Sequence, residues 1–144
     1  MLNDRLCRLV LRVLGVTFAL VGVSFLAAPD AVVGLMNLIG RLLGPFPETP
    51  VGGARLWVSL SFAYMSVVAA LALLTATDPP RYLHLLPILA LGKLTSSLSG
   101  LGFFLLEQHA FVYLATFVVD GSIVLLVMGC WLFYRRGVAE LGGR

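Results

Sequence analysis

Four stretches of this chain run for about twenty residues or more with almost no charge. That is the length of apolar helix a bilayer demands, since roughly 20 residues are needed to cross a hydrocarbon core of about 30 Å. The stretches are Leu9 to Ala28, Leu56 to Ala76, Leu83 to Leu106 and Ala110 to Tyr134. The second carries no charge, the third holds Lys93 and the fourth holds Asp120. Because 60% of the 144 residues are hydrophobic and only 12% are charged, a water-soluble fold of this size would lack the polar surface to cover itself. The expected class is therefore all-α: one integral membrane domain over residues 1–144, a four-helix up-down bundle.

The first stretch also has the parts of a cleavable signal peptide. MLNDRLCRLVLR is basic, VLGVTFALVGVSFL is apolar, and Ala27-Ala28 would suit a small-residue cleavage site. It is read here as the first membrane helix. The link between the third and fourth stretches is only Glu107 to His109, which makes those helices antiparallel neighbours. Pro79-Pro80 stops the second helix just before the third begins.

The first loop, Pro29 to Gly53, is long enough to hold structure of its own. Over about residues 30–43, Asp30, Gly34, Asn37, Arg41 and Gly44 recur at helical spacing against an otherwise apolar surface. That pattern predicts an extra amphipathic helix, too short to span, that serves either as an interfacial anchor or as a lid over a cavity between the spanning helices. Pro45, Pro47 and Pro50 stiffen the return.

Seven arginines flank one side of the spans (Arg5, Arg8, Arg12, Arg81, Arg135, Arg136 and Arg144), against Arg41 and Arg55 on the other. The positive-inside rule then puts both termini in the cytoplasm. Trp57 and Tyr113 fall near the outer interface, and Tyr82, Trp131 and Tyr134 near the inner one, as interfacial aromatics do. The net charge of +3 reports topology and does not suggest nucleic acid. Cys7 and Cys130 both fall near the reducing face, so no structural disulfide is expected, and they form no zinc pattern.

Lys93 is the only lysine, and it sits mid-span. With Ser96, Ser97 and Gly100 it forms one face of its helix, while Gly92, Ser96 and Gly100 make a small-residue ridge suited to close helix approach. On the following helix Tyr113, Thr116 and Asp120 form a second polar face. Counted from Gln108, Lys93 is 15 residues back and Asp120 is 12 on. Their depths thus differ by roughly 4 to 5 Å, within reach of the lysine stem, although helical side chains lean toward their own N-termini and would tilt the two apart. Tyr64 and Ser61 are at a depth suited to Asp120, and Thr17 at one suited to Lys93.

Three roles remain open for these groups. Lys93 snorkels to the interface, or the pair is a neutralised packing clamp, or the two form a proton or substrate site. His84 and His109 fall on opposite sides and cannot share a metal. Glu48 and Arg55 are candidates for an ion pair at the outer mouth.

The segment ETPVGGARLWVSLSFAYM, Glu48 to Met65, resembles the entry to the second helix in the DoxX-like group of small four-helix bacterial membrane proteins, with the arginine after the glycine pair where that group's pattern has it before. The resemblance implies a bacterial inner (cytoplasmic) membrane protein and, as in some members, association with membrane redox or quinone-linked complexes. It carries over no catalytic residue.

The leading expectation is a non-catalytic accessory subunit or small helper, without cofactor or metal. It would bind membrane lipid or other membrane helices, as a homo-oligomer or in a larger complex. The alternatives are a transporter or proton-relay component centred on Lys93 and Asp120, and a lipid- or quinone-binding protein. In the latter Tyr64, Lys93, Ser97 and Asp120 line an apolar pocket beneath the loop helix.

Overall fold

Long apolar runs without interior breakers fold as helices, and the computed structural model, which describes residues 2–50 and 55–142, contains five. They are α1 (Leu2–Ala27), α2 (Pro29–Leu43), α3 (Arg55–Thr77), α4 (Leu85–Leu106) and α5 (Phe111–Gly142). There is no strand among the described residues. Four helices are long and apolar enough to cross a membrane, over Asp4–Ala27, Trp57–Thr77, Leu85–Leu106 and Phe111–Gly137.

The apolar runs understate two of these helices. α1 begins at Leu2, seven residues before Leu9, and α5 continues past Tyr134 to Gly142. Charged residues near the helix ends satisfy the backbone as well as apolar ones do, so helices outrun their hydrophobic cores. Asp4 lies in the first turn of α1 and pairs with Arg8 one turn on, at 3.2 Å. Prolines mark the starts: Pro29 opens α2, and Pro87 lies in the first turn of α4, where its missing N–H breaks no helical hydrogen bond.

The helices associate chiefly as two antiparallel pairs, α1 with α3 and α4 with α5, and the two pairs touch each other less extensively. In the first pair Arg8 Nη1 donates to the Thr77 carbonyl at 2.7 Å, and a Cβ on Gly15 would lie 2.6 Å from Leu73 Cγ. In the second, a Cβ on Gly100 would lie 2.9 Å from the Tyr113 carbonyl oxygen and 3.2 Å from the Phe117 nitrogen. Buried Leu11, Phe18, Val68, Leu86, Leu89 and Val127 fill the space between the pairs. The outer surface is apolar as well: Leu9, Leu20, Trp57, Leu91 and Leu125 are each more than half exposed. Such a surface suits lipid and not water.

α2 packs against α5 and α1. Its buried Gly40 rests on Phe111, whose ring also meets Phe46 edge-on at 5.6 Å. The segment after α2 folds back on it. Asn37 donates to the Thr49 carbonyl at 2.9 Å and accepts from the Thr49 N–H at 3.0 Å, and Arg41 pairs with Glu48 at 2.9 Å. Leu35, Leu38 and Leu42 share an exposed face.

Close approach of α4 and α5 makes Gly100 intolerant. Gly100→Leu forces a side chain against the α5 backbone and is expected to cost about 1–3 kcal/mol of stability, as overpacking does. Gly102→Leu, where nothing lies within 4 Å of a Cβ, should leave stability nearly unchanged. Thermal unfolding of both variants in detergent checks the contrast.

Candidate functional site: a buried ion pair

The α4–α5 register decides the site. Ser97 Oγ donates to the Phe117 carbonyl at 2.9 Å, and Gly121 stands opposite Ser97, where a Cβ would lie 3.2 Å from its Oγ. One turn further from the connecting turn, Lys93 Nζ reaches Asp120 Oδ1 at 3.0 Å. Lys93 is 1% exposed and Asp120 7%. The lysine stem thus closes the depth difference despite the opposed lean of the two side chains, and Lys93 faces the interior.

The ammonium has two further neighbours, one from each helix of the other pair. It lies 4.4 Å from the ring centroid of Phe18 on α1 and 5.3 Å from that of Tyr64 on α3. The negative faces of aromatic rings attract a cation most strongly where water is excluded, by about 2 kcal/mol or more for a desolvated contact. All four long apolar helices therefore contribute to one buried charge cluster. Phe18 takes the place expected for Thr17, which is exposed. In the structure Leu11, Phe18 and Gly22 share the α1 face that packs inward.

Tyr64 supplies an unusual group. Its hydroxyl is buried and has no hydrogen-bond partner among the described residues, although its ring lies beside the pair. A Cβ on Gly92 would lie 3.4 Å from that hydroxyl, so Gly92 makes room for it. The small-residue ridge is thereby divided between two neighbours, with Gly92 serving α3 and Gly100 serving α5.

The other sequence-derived candidates are spread out. Ser97 is buried and spent on the α5 backbone, and Ser96 is half-buried beside it. Thr116 Oγ1 donates to the Val112 carbonyl of its own helix at 2.9 Å, while its Cβ packs at Gly100. Glu48 is exposed and held by Arg41; Arg55 heads α3, and its side chain lies outside the described residues. His84 and His109 are exposed at opposite ends of α4, and the His109 ring meets Phe104 at 5.2 Å. No group of three or more metal-ligating side chains occurs among the described residues.

A second polar cluster closes the end nearest the termini. Tyr134 on α5 donates to Asp4 Oδ1 on α1 at 2.8 Å, and Asp4 also receives Arg8 Nε at 3.2 Å. One turn deeper, Cys7 and Cys130 are free, buried thiols near one another. These contacts join α1 to α5, a pairing that no sequence spacing announces because each partner looks like an ordinary interfacial residue.

No family model matches the chain, and neither a curated protein nor a solved structure matches it.

If Lys93 is tolerated because Asp120 neutralises it, Lys93→Met and Asp120→Leu should each cost about 3–5 kcal/mol by leaving one buried charge alone. The double variant should recover much of that loss, since a buried pair gains little over well-packed apolar side chains. Thermal unfolding of the four proteins in detergent gives the coupling; additive losses would mean that the two residues act independently.

Proposed function

We propose that this chain is a multi-pass protein of the bacterial inner (cytoplasmic) membrane, an up-down four-helix bundle with both termini cytoplasmic. In this reading α2 lies in the outer interface and presents Leu35, Leu38 and Leu42 to lipid. The protein acts as a non-catalytic accessory subunit or helper that binds other membrane helices or lipid. The observation that carries this is the closure of the Lys93–Asp120 pair at 3.0 Å between two aromatic rings, which spends both mid-span charges on holding the chain's own helices together.

What remains for a partner is on the outside. Nothing lies within 4 Å of a Cβ at Gly102 on α4 or Gly129 on α5, and exposed Thr95, Ser99 and Ser122 lie on the same helices. In lipid, small outward residues let a second helix approach closely enough for dispersion to hold it. The likeness of Glu48 to Met65 to the DoxX-like group agrees with a subunit role in a larger membrane assembly.

Mild solubilisation from native membranes, followed by cross-linking and native mass spectrometry, tests the proposal. A bound partner protein, a second copy or retained lipid is expected, and protein association should fall in Gly102→Leu and Gly129→Leu while the monomer stays folded. Recovery as a lone, lipid-free monomer would overturn it.

A second reading, as a proton-relay or transport component or as a lipid- or quinone-binding protein, is favoured by one observation, the unpartnered Tyr64 hydroxyl beside the ion pair. An unsatisfied buried hydroxyl costs about 1–3 kcal/mol, so a group kept for packing alone would be better as phenylalanine. Under this reading Tyr64→Phe holds or raises stability yet lowers flux in reconstituted vesicles, and Asp120→Asn abolishes it. Unchanged flux in both variants leaves the helper reading standing.

A further inference from the structure

The cations of this protein are distributed unevenly in a way that the ion pairs sharpen. At the α2 end, Arg41 is already taken by Glu48 at 2.9 Å. At the end nearest the termini, Arg5, Arg12, Arg81, Arg135 and Arg136 are all exposed, and none forms an ion pair among the described residues. Arg8 forms the ion pair seen there among the described residues, with Asp4, and also donates to the Thr77 carbonyl. Three separate segments, α1, the α3–α4 turn and α5, thus bring to one end of the molecule guanidinium groups that form no ion pair among the described residues, with Asp78 accepting from the Arg81 backbone N–H in the α3–α4 turn.

Two of these groups are held in place. The Arg81 guanidinium lies 5.5 Å from the ring centroid of Tyr82, and that of Arg135 lies 4.9 Å from that of Trp131. A guanidinium lying over an aromatic ring loses less freedom on binding, and its planar fork of N–H donors matches two oxygens of a phosphate. Exposed Leu6 and Leu9 on α1, close in sequence to Arg5 and Arg8, and exposed Leu132 on α5, next to Trp131, lie at the same end of the molecule. A ligand suited to this surface carries a phosphate with net negative charge next to a hydrocarbon chain.

We propose that this end of the bundle is a binding surface for anionic phospholipids, in which Arg81 on Tyr82 and Arg135 on Trp131 clamp the headgroup phosphate while the neighbouring leucines meet the acyl chains. The inference rests on the membrane-spanning reading and adds lipid selectivity to it. A zwitterionic headgroup fits less well because its own ammonium competes for the phosphate. Free phosphate fits less well because it leaves the leucines without a partner.

The chain has two tryptophans, and they report on opposite ends, which makes the test direct. In Trp57→Phe, Trp131 is the remaining tryptophan, and its fluorescence is quenched by brominated lipid bound beside it. The protein is reconstituted in vesicles of brominated phosphatidylcholine, brominated phosphatidylglycerol and their mixtures with unbrominated lipid. At Trp131 a preference for phosphatidylglycerol of roughly fivefold or more is expected, the ratio that the attraction of one basic residue to net anionic lipid gives. It should disappear in Arg81→Gln/Arg135→Gln, and should be absent at Trp57 when that residue is read alone in Trp131→Phe. Equal quenching by the two lipids would overturn the proposal while leaving membrane insertion intact, because both lipids would still reach the tryptophan. Persistence of the preference in the double glutamine variant would overturn the clamps. No quenching by either lipid would overturn the spanning reading and the surface with it.

Discussion

The Lys93–Asp120 contact is the interaction on which the rest of the arrangement depends, because a lone charge in the middle of an apolar bundle is not affordable. On insertion scales a lysine or aspartate at mid-span costs about 2.5–3.5 kcal/mol each. At 3.0 Å the two neutralise one another, and the rings of Phe18 and Tyr64 cover the ammonium on the sides the carboxylate does not reach. Each of the four long apolar helices then has one side chain whose place is set by the same charge. In lipid that matters more than in water, since acyl tails are as apolar as leucine and provide no hydrophobic drive for helices to associate.

The pair forms where α4 and α5 approach closely. Gly100 lets the α5 backbone approach to a distance at which a single methyl group would collide, and Gly121, next to Asp120, leaves the space that Ser97 fills. Ser97 then donates to the Phe117 carbonyl, which fixes the sliding register of the two helices one turn above the ion pair. Glycine, serine and the charge pair form one chain of cause: small residues set the distance, a hydroxyl sets the register, and the register brings the lysine to the aspartate.

Much of this was legible in the sequence because it depends on spacing along a single helix. Four apolar runs dictated four long helices, the Lys93–Ser97–Gly100 face was visible at i, i+4 and i+7, and a short turn made α4 and α5 neighbours. What spacing does not carry is which face of one helix meets which face of a helix elsewhere in the chain. Phe18 and Thr17 are adjacent in sequence, and only the rotation of α1 about its axis decides that the ring, and not the hydroxyl, covers the lysine. The Asp4–Tyr134 and Arg41–Glu48 contacts escaped for the same reason. Asp4 reads as part of a charged leader, and the prolines between Arg41 and Glu48 hide the fold-back that brings those two together.

Polar contacts recur at three depths, and at each they join elements that apolar packing alone would leave free to slide. At the α2 end Asn37 and Arg41 fasten the returning segment to its helix. In the middle Lys93 binds its own pair and rests on the other. Near the termini Tyr134 and Arg8 tie α1 to α5 and to α3 through Asp4 and the Thr77 carbonyl. The last two matter most for the bundle as a whole, because the contact between α1 and α5 is slight compared with the contact within each pair. Apolar side chains hold helices together at almost any register, whereas a phenol reaching a carboxylate at 2.8 Å, or an ammonium reaching one at 3.0 Å, is satisfied at one register only. The paired charges at these three depths therefore act as registration marks for helices whose mutual contacts are otherwise largely apolar.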